Sequence, residues 1–182
     1  MERGLTLVEL LVTLVILAVT LAWGLPDWRH FIAGNQASAI QTELYQLLND
    51  ARHTAVTHNT FTTLCPSADG LRCGSDWRKD WLLFTDANLN REVDGSDRII
   101  RRWSPPDDLT DLVVRPAGRT YFSWTPQGLT HGNPGSFTWC TRHQRRSVRQ
   151  LSFTLQARVR ASLDVDGDGF HEVPSVPPGC IQ

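Results

Sequence analysis

The chain has 182 residues, a formal net charge of −1 and 20% charged residues. If a mostly apolar N-terminal segment is set aside, about 150 residues remain, enough for one globular domain with a substantial core. Seven Trp and seven Phe supply large side chains for that core. The usual motifs of zinc hydrolases, serine hydrolases and phosphate loops are missing, and the six histidines do not cluster at ligand spacing. The sequence therefore argues against an enzyme, and it predicts no cofactor.

The N-terminal segment is an apolar run that contains one carboxylate, Glu9. Residues 5–23 read LTLVELLVTLVILAVTLAW, close to the roughly 20 residues that a helix needs to cross a bilayer. An ionised carboxylate at that depth costs several kcal/mol unless a positive group meets it. Cleavage after Gly4 would create such a group, the new amino terminus of Leu5, one helical turn from Glu9. The alternative is an ordinary membrane anchor with a stray acid.

The residues from Gly4 to Glu9, followed by the apolar run, resemble the N-terminal signature of type IV pilins and pseudopilins. The resemblance implies that a prepilin peptidase cuts after Gly4 and methylates Leu5, and that Glu9 guides assembly with other pilins or minor pseudopilins. It also implies a single-pass protein of the inner membrane with a periplasmic head, located at a pilus or pseudopilus tip after assembly. The four-residue leader is short, and Leu5 stands where Phe is usual.

An amphipathic helix follows the apolar run. Apolar residues recur in steps of three and four, at Ile40, Leu44, Leu47, Leu48, Ala51 and Ala55, which predicts a helix that continues to about Thr57 and packs one stripe on the domain. Four segments result: a leader at 1–4, a transmembrane and assembly helix at 5–25, an amphipathic helix at 26–58, and a β-rich head at 59–182. Pro26 falls where this family often has a helix-loosening proline.

Short β-prone runs separated by turn residues fill the head. They predict strands near residues 61–65, 81–85, 98–103, 112–115, 120–124, 136–141 and 148–163. The last of these alternates most regularly, with Leu151, Phe153 and Leu155 on one face. A single long strand here would direct Arg158 and Arg160 together into solvent, roughly 7 Å apart, which is close to the spacing of successive phosphates.

All four cysteines follow the apolar segment and would lie in a compartment where disulfides persist. Four cysteines allow three pairings. The pairing Cys65 with Cys73 and Cys140 with Cys180 is preferred because the first pair is local in sequence. Free buried thiols are the alternative.

The net charge conceals a segregation of charged residues. Residues 112–163 contain no Asp or Glu but eight arginines, and the chain has a single lysine, Lys79. Arginine forks suit bidentate contact with phosphate, so this region would attract polyanions. Exposed strands also carry arginine for solubility and edge protection, which is the alternative explanation.

Several head segments resemble the GspH/FimT branch of pseudopilins, notably LCPSADG up to Cys73, WLLFTDANLN, DRIIR and FTWC. The resemblance implies an α+β fold in which a kinked N-terminal helix packs on a β-rich head of two antiparallel sheets. FimT-like members bind DNA through a C-terminal Gly-Arg-x-Arg motif. Here the matching residues are Ala157, Arg158, Val159 and Arg160. The Gly of the motif is therefore replaced by Ala157, which is expected to keep the strand more regular. The arginines that would add phosphate contacts are Arg142, Arg145, Arg146 and Arg149.

Two acidic loops have a superficial likeness to calcium sites. In residues 164–169 carboxylates alternate, but Ser175 stands where a calcium loop needs its bidentate Glu. A second oxygen-rich loop, residues 86–97, has Arg91 where the tight turn favours Gly. Turns that hydrogen-bond their own backbone explain both loops, so no metal is predicted.

Two functions remain. The first is a minor pilin that is incorporated into a type IV pilus and binds double-stranded DNA for uptake in natural transformation. The alternative is a pseudopilin of the type II secretion system that acts in protein secretion without binding DNA.

Overall fold

The structure is a computed structural model that describes residues 6–95 and 97–180, with residues 22–30 described by their backbone alone. One long helix precedes two antiparallel sheets, which confirms the predicted α+β class. Gly4 and Leu5, the expected cleavage and methylation positions, lie outside the described residues.

The helix, α1, spans Leu7–Thr57 and runs without interruption through Pro26. Thr6 caps its start, because the Thr6 hydroxyl accepts a hydrogen bond from the Glu9 amide at 3.3 Å. It ends at Thr57, as predicted. Across the described residues, no helix combines the length and the hydropathy that a membrane crossing requires. The predicted membrane segment, residues 5–25, extends beyond the described side chains at both ends.

Nine strands can be assigned in the described part of the head. They are β1 (Thr62–Pro66), β2 (Trp81–Thr85), β3 (Ile99–Trp103), β4 (Leu109–Arg115), β5 (Phe122–Trp124), β6 (Thr130–His131), β7 (Gly135–Thr141), β8 (Arg149–Phe153) and β9 (Val159–Ala161). The first sheet has the order β3-β2-β1-β5-β6 and the second the order β4-β7-β8-β9. Single-turn 3-10 helices lie at Arg145–Ser147 and Pro178–Cys180. The first six predicted strands are observed, the strand at residues 81–85 with the predicted ends and the other five with shifted ends, and β6 was not predicted.

The prediction of one long strand over residues 148–163 is wrong. The chain turns back after Phe153, and β8 and β9 form a hairpin in which Ser152 faces Arg160. Leu155 and Leu163, which the alternation assigned to the core, are 48% and 66% exposed. Apolar and polar residues alternate along both strands of the hairpin and also through its turn. The sequence pattern therefore resembles that of one continuous strand.

The core lies between the second half of α1 and the two sheets. The predicted stripe of α1 is buried throughout, and its six residues are at most 3% exposed. Opposite the stripe are aromatic side chains from both sheets, namely Trp81, Trp103, Phe122, Trp124, Phe137, Trp139 and Phe153. Many of these rings meet edge to face, as Phe122 and Phe153 do with centroids 4.9 Å apart. The helix stripe thus joins the two sheets into one core.

Both predicted disulfides are present. Cys65 and Cys73 are bonded with their Cα atoms 5.5 Å apart, and Cys140 and Cys180 with theirs 6.0 Å apart. The first closes a short loop after β1. The second ties the C-terminal tail to β7, where both sulfurs are buried with Val148.

Candidate assembly and nucleic-acid-binding surfaces

The first half of α1 has an exposed apolar surface. Every side chain described between residues 6 and 21 is exposed, and the large apolar ones among them are 44–79% exposed. They are Leu7, Val8, Leu10, Leu11, Val12, Leu14, Val15, Ile16, Leu17, Val19 and Leu21. We call this set the helix surface. An apolar area of this extent is typical of contact with a membrane or another protein.

Glu9 lies on the helix surface in the first turn of α1. Its side chain takes part in no ion pair among the residues that the structure describes. A negative charge in the first turn is favourable because it faces the positive end of the helix dipole. In an apolar surrounding the carboxylate would also need a cation. Glu9 is thus exposed in the described structure, and its role in assembly and its pairing with a cation stay predictions.

The second candidate surface is the turn that joins β8 to β9. Thr154 organises it: its amide donates to the Arg158 carbonyl at 3.2 Å, and its carbonyl accepts from the Ala157 amide at 2.9 Å. The Thr154 hydroxyl accepts a further hydrogen bond from the Arg158 amide at 3.3 Å. The turn therefore fixes the backbone on the N-terminal side of Arg158.

Ala157 does not keep a strand regular, contrary to our expectation. Its φ is +55°, in the left-handed region that disfavours any residue with a Cβ, and its side chain is 2% exposed. This conformation gives a physical reason for Gly at this place in the related motif, because Gly adopts positive φ without steric cost. In this chain Ala157 has the strained left-handed backbone conformation, and its methyl group packs in the core.

Arg158 and Arg160 are both exposed. They are two residues apart, and Arg160 lies on β9, which is an edge strand of the second sheet. The prediction that both guanidinium groups face solvent is confirmed, although the hairpin places them there instead of one long strand. Neither forms an ion pair with a described acid.

The four additional arginines have different environments. Arg142 contacts Asp108 at 3.0 Å and donates to Gln36 at 2.9 Å, so it ties the head to α1. Arg145 and Arg146 are exposed, with their guanidinium carbons 5.3 and 5.6 Å from the centre of the Phe170 ring.

Arg149 departs most from its predicted role in phosphate contact. It is only 8% exposed, and its guanidinium donates to the carbonyls of Arg146 and Val148 at 3.0 and 2.9 Å. Burial lowers the pKa of Arg149, and the negative charge of Asp164 opposes that shift. Among the predicted set, the exposed arginines that form no ion pair with a described acid are therefore Arg145, Arg146, Arg158 and Arg160.

An acidic loop lies beside Arg145. Asp164 accepts hydrogen bonds from the amides of Gly167 and Gly169 at 2.7 and 2.9 Å, as expected for turns that bind their own backbone. Ligand atoms of Asp164, Asp166 and Glu172 lie within 4.8 Å of one another. Sequence reasoning missed Glu172, because it looked for the closing acid at residue 175. This loop places negative charge near part of the basic region.

Together, the long helix with its exposed first half and the two antiparallel sheets define a type IV pilin-like protein. The family model for type II transport protein GspH matches residues 41–168, and the model for the prokaryotic N-terminal methylation motif matches residues 1–25. The chain belongs to the GspH family. The methylation motif implies processing by a prepilin peptidase and assembly with other pilins, as a membrane-anchored component of a pilus or pseudopilus.

Solved structures with a similar fold include the type IV minor pilin FimU of Pseudomonas aeruginosa in two crystal forms. The first is 18% identical with a TM-score of 0.56, covering 73% of this chain and 92% of FimU. The second is 16% identical with a TM-score of 0.52, covering 69% and 92%. The minor pseudopilin EpsH of the Vibrio cholerae type 2 secretion system is 15% identical with a TM-score of 0.45, covering 71% and 94%. No curated protein sequence matches the chain.

The left-handed conformation of Ala157 predicts that this position tolerates Gly better than Val. Ala157→Gly relieves strain of about 1 kcal/mol and loses a buried methyl group of about 0.8 kcal/mol, so the free energy of unfolding should change by less than about 1 kcal/mol. Ala157→Val should lower it by about 2 kcal/mol or more, since a β-branched residue is excluded from this region. Urea denaturation of the purified protein measures both changes.

Ala161→Val is the matched control, because Ala161 lies in the regular strand β9, where valine is favoured. It should change the free energy of unfolding by less than about 1 kcal/mol. Equal stability of the Ala157→Val variant and the parent would contradict the turn geometry.

Proposed function

We propose that this chain is a minor pilin that is incorporated through its N-terminal helix into a type IV pilus and presents a DNA-binding head. The observation that carries the assembly role is the helix surface, an apolar area with no partner among the described residues and with Glu9 in its first turn. Its role is structural and not catalytic.

Assembly would cover the helix surface with the equivalent surfaces of neighbouring subunits. Once a subunit leaves the membrane, this surface has to stay covered, because apolar area that is exposed to water costs about 25 cal/mol per Å². Within a bundle of such helices, a carboxylate is tolerated only beside a cation. Cleavage after Gly4 would supply one in the form of the N-methylated amino terminus of Leu5 on a neighbouring subunit. Before assembly, the inner membrane would cover the same surface and the head would lie in the periplasm.

DNA binding would use the exposed pair Arg158 and Arg160, with Arg145 and Arg146 as further phosphate contacts. The hairpin places Arg160 on the edge strand β9 and Arg158 in the turn before it, and arginine forks bind phosphate oxygens in a bidentate manner. No described helix of the head has the length needed to read a groove. Contact with double-stranded DNA should therefore be directed at the backbone, sensitive to salt and only weakly selective for sequence.

A type II secretion pseudopilin without DNA binding is the second candidate. The description of the matched family as a type II transport protein favours it. The acidic loop beside Arg145 also favours it, because negative charge there weakens attraction for phosphate. The two candidates share the assembly mechanism and differ in what the head binds.

Glu9→Ala tests the assembly role. Removal of one member of a buried charge pair costs about 3–5 kcal/mol, so the amount of this subunit recovered in sheared filaments should fall at least tenfold. The cut after Gly4 should be unaffected. Quantitative immunoblots of filament and membrane fractions measure both. Thr13→Ala, which shortens a nearby exposed polar side chain without changing charge, should behave like the parent. Normal recovery of the Glu9 variant in filaments would refute the assembly role.

The double variant Arg158→Gln, Arg160→Gln tests DNA binding. Loss of two phosphate contacts should weaken the affinity for a random-sequence duplex and reduce the slope of log affinity against log salt by about 2. Mobility shifts with the detergent-solubilised protein at several salt concentrations give both values. The matched control, Arg78→Gln with Arg98→Gln, removes the same charge from exposed positions flanking β2 and β3 and should keep the parent slope. Equal slopes for the parent and both variants, or no shift by the parent, would favour the secretion candidate.

A further inference from the structure

The loop between β2 and β3 contains a buried carboxylate and is rich in further oxygen-bearing side chains. We propose that this loop is a calcium site whose ligands are Asp86, Asn88, Asn90, Asp94 and Asp97. The inference does not depend on the filament or DNA-binding role.

The observation that points to a ligand is the environment of Asp86. It is 0% exposed, and its Oδ2 accepts hydrogen bonds from the Thr63 hydroxyl at 2.7 Å and the Arg91 amide at 3.2 Å. Its Oδ1 is buried and has no hydrogen-bond partner within the described structure. A carboxylate oxygen that is buried without a hydrogen-bond partner calls for a positive partner.

The remaining oxygen-bearing side chains lie in the same loop. Asn88 and Asn90 both direct their amide nitrogens at Asp94 Oδ2, at 3.5 and 2.5 Å. Asp97 Oδ1 accepts a hydrogen bond from the Ala87 amide, at the start of the loop, at 3.3 Å. Among the described residues, Asp86, Asp94 and Asp97 form no group with ligand atoms within 4.8 Å of one another, and none of them takes part in an ion pair. The three carboxylates are therefore met by amide and hydroxyl donors and by no described cation, and a bound ion would draw their side chains together.

The spacing of these residues corresponds to a known arrangement for calcium. Counted from Asp86, the side chains occupy positions 1, 3, 5, 9 and 12, which supply the side-chain ligands in twelve-residue calcium loops. Such loops have Gly at position 6 for a sharp turn. Arg91 stands there, and its φ of +65° shows that the backbone makes a left-handed turn even without Gly. Its guanidinium carbon lies 5.1 Å from the Tyr121 ring centre, in a cation–π contact.

The first disulfide braces this loop. The short segment closed by Cys65 and Cys73 pairs with it: the Cys73 amide donates to the Arg91 carbonyl at 3.0 Å, and the Val93 amide donates to the Leu71 carbonyl at 2.8 Å. The loop is thus held against the head before any ion binds, which lowers the entropic cost of binding.

The donor set determines the class of ion. All five side chains offer oxygen, which suits a hard cation, and an irregular set of carboxylates and amides suits the variable coordination geometry of Ca²⁺ better than the strict octahedron of Mg²⁺. Position 12 is Asp97 instead of the longer Glu, so bidentate contact is less favourable. We therefore expect a dissociation constant of about 10⁻⁴–10⁻³ M, the range of extracellular calcium modules.

The acidic loop at residues 164–172 shares two features with the proposed site: some of its acids are exposed, and both oxygens of Asp164 accept backbone hydrogen bonds, as both oxygens of Asp97 do. Its ligand atoms are also the more closely gathered, since those of Asp164, Asp166 and Glu172 lie within 4.8 Å of one another. The difference between the two loops is the buried oxygen of Asp86. No buried, unpartnered oxygen lies among the carboxylates described there. That loop therefore serves as the control.

Calcium titrations of the full-length protein in detergent, stripped with EDTA, test the proposal. We expect one Ca²⁺ per chain by calorimetry, and a thermal midpoint about 3–6 °C higher at 5 mM Ca²⁺, with a smaller shift in Mg²⁺. Asp94→Asn with Asp97→Asn should weaken calcium binding at least tenfold. Asp166→Asn with Asp168→Asn removes the same charge from the control loop and should keep the parent affinity.

Asp86→Asn is a second variant, which separates binding from folding. Asn can accept both hydrogen bonds that Oδ2 accepts, so the variant should fold, with a calcium-free midpoint at or above that of the parent and no calcium-dependent rise. The proposal is overturned if the parent does not bind calcium, if the Asp94/Asp97 variant binds like the parent, or if only the control variant loses binding. A lower calcium-free midpoint for Asp86→Asn with a full calcium response would also overturn it.

Discussion

The packing of the second half of α1 against the two sheets is the contact on which the rest of the structure depends. Leu44, Leu47 and Leu48 are almost completely buried against aromatic rings from both sheets. Each fully buried side chain of this size contributes about 1.5–3 kcal/mol. Without the stripe, both sheets would expose part of their inner faces, because the stripe and the large rings belong to one buried cluster. The same contact fixes the direction in which the remainder of the helix leaves the head.

Because the head uses only the second half of α1, the first half is available for contact with other molecules. Its apolar side chains are exposed along residues 7–21, and Glu9 lies among them. The other candidate surfaces lie on the head, at the hairpin turn before Arg158 and at the loop after β2. In the proposed division, the helix serves anchoring and assembly, while a loop and a hairpin of the head carry the residues proposed to bind calcium and DNA. This division is common where a scaffold positions functional loops.

The sequence predicted the parts of the fold that depend on periodicity and on local pairs. The stripe from Ile40 to Ala55, the end of the helix at Thr57 and both disulfides were predicted correctly. The hairpin was not, because apolar alternation continues through its turn and the turn contains no Gly, Pro, Asn or Asp to mark it. The left-handed Ala157 was missed for the same reason.

Features that depend on tertiary contacts were also beyond the sequence. Arg149 looked like its exposed neighbours, yet the turn at Arg145–Ser147 directs it inward, where backbone carbonyls accept its hydrogen bonds. Asp86 looked like an ordinary residue of a polar loop, and only the structure shows that β1 buries it beside Thr63. In both cases the decisive information is burial, which residue type and spacing do not supply.

The intact mass of the native protein, purified from the membrane and from filaments, tests most directly whether the helix is an assembly element. The account predicts a chain that lacks Met1–Gly4 and carries one added methyl group, with Leu5 as its amino terminus beside Glu9. A native protein that retains Met1–Gly4 in both fractions would contradict it, because Glu9 would then lack the cation that assembly requires.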